Sequence, residues 1–345
     1  MKRIASMFVC MVLCLTLFGC RKSADAEEEA KPAPDFMPLT EIVEGRKNIY
    51  LIVKIVEGSS YWDIIINGAK DAGDNLDCNV YYSGSYVEND AASHERLLDE
   101  AAAAGADAVL FAPNDSVGLS EKIEEVYGKG ISVVLIDTIA NTDSYDVCYM
   151  TDNLMAGQKA AEEMIALLRK DGASDAESLQ VGIQVGATSS MTIIERLAGF
   201  LQYWSKYAPE AWEVIPDIKC NEGSVDKAVE CAEELLAYPG IKGVFGTNNG
   251  STVGFARAVK DKERKDVAVV GFDYSEDIAE LIGNDEYTVS TILQKQYEMG
   301  YTGVSTALAV IGGEKMPVKF QDTGVVVVNK DTIDRADVRE ALLHN

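Results

Sequence analysis

Polar and aromatic residues stand directly after short apolar runs at recurrent places along the chain: Glu57 to Trp62, Asn114-Asp115, Asp137, Glu222, Asn248-Asn249, Asp273 and Gln294. Their types suit recognition rather than catalysis. Carboxylates and carboxamides exchange hydrogen bonds with a polar ligand, and charge-assisted bonds are the stronger ones. The adjacent rings of Tyr61 and Trp62 offer apolar faces beside them. Lys54 joins the candidates because it interrupts an otherwise apolar strand. The sequence carries no nucleophile–base pattern, P-loop or metal-ligand spacing, and only two histidines, His94 and His344. An enzyme is therefore not expected, and neither a metal nor a cofactor is.

The elements that must position these residues alternate. Apolar runs near 49–56, 78–82, 107–112 and 132–136 are separated by helical stretches near 62–75, 90–104 and 117–129. Each run is short and nearly continuous, as in parallel strands covered on both faces. The pattern restarts after 151–153, with helices predicted at 154–169, 191–206, 225–237, 252–261, 276–283 and 296–312. Strands are predicted at 180–185, 213–219, 242–246, 267–272 and 288–293, and a last one over 324–328 before a polar tail. Two successive arrays of this kind predict an α/β protein with two doubly wound, Rossmann-like lobes. Ligands of such sheets bind beyond the carboxyl ends of the strands, where the candidates fall.

The chain of 345 residues favours two lobes over a single core. It holds 56 acidic against 31 basic residues, a formal charge of −25, which argues against nucleic acid or an anionic lipid surface as partner. Residues 1–19 read as an export signal: Met1-Lys2-Arg3 is basic, and Ile4 to Phe18 is apolar but short for a membrane span. Leu17-Phe18-Gly19-Cys20 resembles a bacterial lipobox, with Phe18 bulkier than usual. That resemblance implies lipidation at Cys20, an exported protein held at the cell envelope, and contact with the membrane through this lipid alone. Residues 20–46 are expected to form a flexible acidic tether, on the strength of "ADAEEEAKPAPD". Cys78, Cys148, Cys220 and Cys231 show no CxxC spacing, so buried thiols and one disulfide both stay open.

The strings "NGAKDAG", "FAPNDS", "VVLIDT", "MTDNLMAG", "ERLAGF", "VFGTNNG" and "VVGFDYSED" occur in this order from residue 67 to 277. Together they resemble the ribose/galactose-binding group of type I periplasmic binding proteins, the solute receptors of sugar ABC importers. The resemblance runs from about residue 48 to the end. It implies two lobes joined by three hinge crossovers and closing on a ligand: 47–151 with 295–322, and 152–294 with 323–345. It also implies partnership with the transmembrane subunits of an ABC permease.

Carried over position by position, the group's aromatic pair falls on Tyr61 and Trp62, and its loop-opening polar residue on Ser59 instead of Asn. The carboxylate after the fourth strand falls on Asp137. Contacts of the second lobe fall near Glu222 and on Asn248, Asp273 and Gln294. Sugar-binding members commonly place arginines where this chain has Thr138 and Ile194. Their loss predicts a site rich in acceptors, with Lys54 as a replacement donor, and argues against ribose or glucose. Arg196 is expected to serve in a structural salt bridge, and Trp204 and Trp212 in packing. The implied function is capture of a small polar ligand, foremost a carbohydrate. A cationic or amine ligand is the alternative, as is a receptor that presents a sugar or autoinducer-like molecule to a membrane signalling protein.

Overall fold

The computed structural model describes residues 35–343, so the export signal, Cys20 and His344 lie outside the described residues. Strand β1 is Met37–Pro38 and β2 is Asn48–Ile55; helix α1 is Ser60–Asn75, followed by β3 (Asn79–Ser85) and α2 (Ala91–Ala103). Then come β4 (Ala108–Phe111), α3 (Ser120–Gly128), β5 (Ser132–Ile136) and β6 (Val147–Met150). The chain crosses to a second array: α4 (Asn153–Lys170), β7 (Leu179–Val185), α5 (Met191–Tyr207), β8 (Trp212–Val214), β9 (Lys219–Cys220) and α6 (Val225–Leu236). This array continues through β10 (Ile241–Gly246), α7 (Asn249–Asp261), β11 (Ala268–Phe272), α8 (Glu276–Ile282) and β12 (Val289–Gln294). Last are α9 (Gln296–Ile311), β13 (Phe320–Asp322), β14 (Val325–Asn329) and α10 (Ala336–Leu342).

Two sheets result, ordered β1-β3-β2-β4-β5-β6-β13 and β14-β12-β11-β10-β7-β8, with β9 also paired to β7. Pairing is parallel except for β1 on β3 and β14 on β12. The central strands explain this. Ile49 to Val53 are all buried, as are all of β4, β5 and β11, because helices cover both faces of each sheet. The chain passes between the sheets three times, after β6, after β12 and after β13. This is the type I periplasmic binding protein architecture.

In each lobe the helix that arrives from the other lobe crosses its neighbour at a pair of glycines. In the first lobe α9 packs on α1, where a Cβ on Gly68 would lie 2.2 Å from the Tyr297 carbonyl and one on Gly300 2.1 Å from that of Ile65. In the second, α4 packs on α5, with Gly157 against the Arg196 carbonyl and Gly199 against that of Leu154. The backbones touch because neither side presents a side chain there. This close crossing fixes the N-terminus of α5, which faces the cleft.

Two expectations change. The proposed tether to residue 46 ends earlier, since Phe36 packs edge-on against Tyr50 with ring centroids 4.8 Å apart and the Leu39 N–H donates to the Val80 carbonyl at 2.8 Å. The reason lies in composition: the acidic, apolar-poor stretch stops at Asp35, and Phe36, Met37 and Leu39 have surface to bury. The tail after β14 is also not merely polar loop, because Val338 of α10 is fully buried in the second lobe's core. Cys78, Cys148, Cys220 and Cys231 are all free thiols.

Candidate functional site

A cavity of about 100 Å³ lies between the two lobes at the carboxyl ends of the strands. Lys54, Ser59, Tyr61, Trp62, Asp137, Asn248, Asp273 and Gln294 all line it. Glu222 does not. Its side chain is 68% exposed and ion-paired to Lys227 at 2.6 Å, while only the neighbouring Gly223 reaches the cavity. The left-handed backbone at Glu222 (φ 54°) turns its carboxylate outward, a detail of the "CNEGS" loop that the sequence pattern did not resolve. Asn114 and Asp115 are not among the lining residues either, and the Asp115 carboxylate accepts from the Val117 and Gly118 N–H groups of its own turn.

The first lobe's side of the cavity is an ion pair wrapped in hydroxyls. Lys54 Nζ sits 2.7 Å from Asp137 Oδ2, and both residues are almost fully buried. Asp137 Oδ1 accepts from the Tyr61 hydroxyl at 2.5 Å, and Oδ2 also accepts from Thr138 Oγ1 at 2.7 Å. Burial alone would raise the Asp137 carboxyl, but the Lys54 charge and these hydrogen bonds outweigh it and hold the group below the ordinary carboxylate value. Burial, reinforced by the Asp137 charge, pushes the Tyr61 phenol well above its usual range, so it stays a donor. Trp62 stands edge-on to Tyr61, ring centroids 4.9 Å apart, with Lys54 Nζ 5.9 Å from its own ring. Both rings belong to the first lobe's hydrophobic core and line the cavity as well, so the choice between core and site does not arise.

The second lobe's side carries no such ion pair. Asp273 Oδ1 accepts from Gln294 Nε2 at 2.8 Å and from Gln296 Nε2 at 3.4 Å. Burial raises its carboxyl to about 6; the Arg196 charge and the Gln294 hydrogen bond oppose this without overcoming it. Asn248 caps α7 through its side-chain oxygen, which accepts from the Ser251 N–H at 3.1 Å. Arg196 corrects the picture of a site without arginine. Its guanidinium is buried in the cavity wall and donates to Asn153 Oδ1, the Thr247 carbonyl and Gln294 Oε1 at 2.7–3.0 Å. Those partners are neutral, so it is not the structural salt bridge expected. The residue two positions earlier on α5, Ile194, is exposed.

Pattern reading missed Glu88, Ser190 and Thr192, which line the cavity. Glu88 follows β3, and Ser190 and Thr192 follow β7; the same strand-end rule, applied to those two strands, would have found them. The lobes meet over the cleft through Thr192, whose hydroxyl lies 2.7 Å from Thr138 Oγ1, and through Asn89 Nδ2, which donates to the Glu222 carbonyl at 3.5 Å.

Residues 49–315 match the family described as "Periplasmic binding protein domain". The chain belongs to this family. Among curated members it is 28% identical over 255 residues to the ribose import binding protein of Escherichia coli, covering 74% of this chain and 81% of that one. It is 24% identical over 266 residues to a D-ribose/D-allose-binding protein of Pseudomonas aeruginosa, covering 75% of each. Among solved members, a carbohydrate transporter solute-binding protein from Agrobacterium radiobacter in complex with D-arabinose superposes with a TM-score of 0.81 at 26% identity, covering 87% of this chain and 99% of that one. An ABC transporter solute-binding protein from Agrobacterium vitis with bound D-fucose gives 0.77 at 28% identity, covering 85% and 98%.

Proposed function

We propose that this chain is the solute-binding component of a sugar ABC importer and closes its two lobes on a monosaccharide. One observation carries the reading. Ser190 and Asn249 line the cavity, and Ser190 Oγ and Asn249 Nδ2 are buried with no hydrogen-bond partner among the described residues. A buried unpaired polar group costs about 1–3 kcal/mol, so the cavity calls for a ligand that both donates and accepts, as a sugar rim does. The Trp62 ring supplies an apolar surface for C–H groups beside that rim. An enclosed water needs roughly 10–15 Å³, which puts the cavity at about seven to ten non-hydrogen atoms, close to the ten of a pentose. The related proteins, named for ribose and allose or solved with D-arabinose and D-fucose bound, point the same way.

Export, lipidation at Cys20 and delivery to permease transmembrane subunits complete the proposal. Nothing in it requires a cofactor. A second reading, an amine ligand, is favoured by the lining charges: Glu88, Asp137 and Asp273 against Lys54 and Arg196. The test is a thermal-shift screen of D-ribose, D-arabinose, D-allose, D-fucose and D-galactose beside a set of polyamines and amino acids. The expected result is a higher melting temperature with at least one neutral sugar. A rise confined to the amines would sink the carbohydrate reading.

A further inference from the structure

The geometry points to Glu88 as a specificity residue of the cleft, the first lobe's free acceptor for a hydroxyl at the rim of the bound sugar. This rests on the carbohydrate reading above. The strand-end carboxylate that should play that part, Asp137, is already engaged. One of its oxygens takes the Tyr61 hydroxyl and the other takes both Lys54 and Thr138, so at most one of its roughly four lone-pair sites is open. Glu88 is the other first-lobe carboxylate lining the cavity. Among the described residues no hydrogen bond or ion pair reaches it.

Burial raises the Glu88 carboxyl, and the Asp137 charge adds to this, while the Lys54 and Arg196 charges pull against it. Burial outweighs the two cations, so the carboxyl sits above its usual value, and nothing in the fold uses it. An ionised carboxylate only accepts, so the complement it lacks is a donor.

Its position also ties recognition to closure. Gly223 of the second lobe stands opposite at φ +80°, and a Cβ there would lie 3.4 Å from Glu88 Cβ and 3.7 Å from Oε2. The neighbouring residues, Asn89 and Glu222, make one of the hydrogen bonds between the lobes. A ligand hydroxyl held by Glu88 is thus fixed where the opposing backbone arrives, and a lobe that fails to close loses its cover.

The experiment compares wild type with Glu88→Gln and Glu88→Ala on the full chain. Melting temperature without ligand is measured first. It should be unchanged or higher in Glu88→Gln, because no partner is lost; a clear fall would give Glu88 a structural role and overturn the proposal. Calorimetry then follows with whichever of D-ribose, D-arabinose, D-allose, D-fucose and D-galactose binds, and with its monodeoxy derivatives. Glu88→Ala should weaken the parent sugar about tenfold or more, and wild type and variant should converge on the one deoxy sugar lacking the hydroxyl that Glu88 reads. An equal loss across all deoxy sugars, or no loss at all, overturns it. D-glucosamine separates the two readings: if it alone binds wild type, and Glu88→Gln abolishes that binding, the neutral sugar falls while Glu88 keeps its role. If none of these probes binds, the carbohydrate reading fails by itself, and the ligand-free comparison still decides whether Glu88 is held for a ligand or for the fold.

Discussion

Asp137 and Asp273 occupy the same place in the two lobes with opposite electrostatics. Each is the first residue beyond a central strand, β5 or β11, and each takes the left-handed backbone, at φ 62° and 67°. The N–H of each donates to the next strand, to the Tyr149 carbonyl at 2.9 Å and the Ile292 carbonyl at 2.9 Å. Aspartate tolerates this region better than most residues, and the conformation aims both carboxylates at the cleft. One is neutralised by a buried lysine. The other rests on two carboxamides, the Asn249 backbone and a more distant arginine, with no cation in contact, so ligand hydroxyls have more to add there.

That asymmetry gives Asp273 a pH signature. With its carboxyl at about 6 in the fold against an ordinary 3.8, its buried charge destabilises the ligand-free protein above pH 6. The penalty fades as pH falls through 6 towards 4, where the folded state takes up a proton that the unfolded state does not. Asp273→Asn should therefore raise ligand-free stability at pH 7 by on the order of 2 kcal/mol, with a smaller gain at pH 5, and should lose ligand affinity. For wild type, affinity should fall below pH 6 with proton release on binding. Denaturation at both pH values and calorimetry in two buffers check it; a pH-independent affinity would remove the carboxylate from recognition.

Lys54 should matter to the fold before it matters to the ligand. Lys54→Met leaves Asp137 charged and buried without its cation, a change that costs about 3–5 kcal/mol in comparable pairs. Adding Asp137→Asn should restore most of this. Because the paired Asp137 is held below its ordinary 3.8, its contribution is present at neutral pH and lost only as pH drops beneath that value. The deficit of Lys54→Met should shrink in acid accordingly. Urea unfolding at pH 7 and pH 3 reads both effects, and equal deficits would speak against the pair.

Thr192 should act on closure. The single proton of Thr138 goes to Asp137, so its two lone pairs accept from Lys54 and from Thr192 of the other lobe, at 2.7 Å each. Thr192→Val keeps the shape and removes the contact between lobes. Ligand affinity should drop about tenfold, with little change in ligand-free melting temperature, because each lobe keeps its own core. Calorimetry and solution scattering with and without sugar would show it; unchanged affinity would make the hydroxyl pair incidental.

Much of this was legible in the residues. The short apolar runs read as buried parallel strands because helices do cover both faces of each sheet, and the strand-end rule led to Ser59, Tyr61, Trp62, Asp137, Asn248, Asp273 and Gln294 in the cavity wall. Glu222 escaped because one left-handed residue in a loop reverses a side chain, which no periodicity records. Arg196 escaped for a different reason. An arginine beside Glu195 on α5 reads as a structural salt bridge until the glycine crossing with α4 draws the helix inward and leaves its guanidinium facing Asn153, Thr247 and Gln294. Glu88 lies three residues past β3 with no feature of its own, and only the missing partner sets it apart.

The exchange of helices between the lobes also governs how the chain can be made. Met299, Val304 and Ala307 of α9 are integral to the first lobe's core, yet in sequence they lie beyond the second lobe's elements from α4 to β12. The first half of the polypeptide thus cannot complete its own interior as it emerges. It must wait for some 300 residues to be in hand, and its decisive contacts are then among the most distant the chain makes, the kind that slows folding. Under the export proposed above, a chain threaded across a membrane before it folds gains from that delay, since a lobe that could finish early would be a lobe that had to be undone.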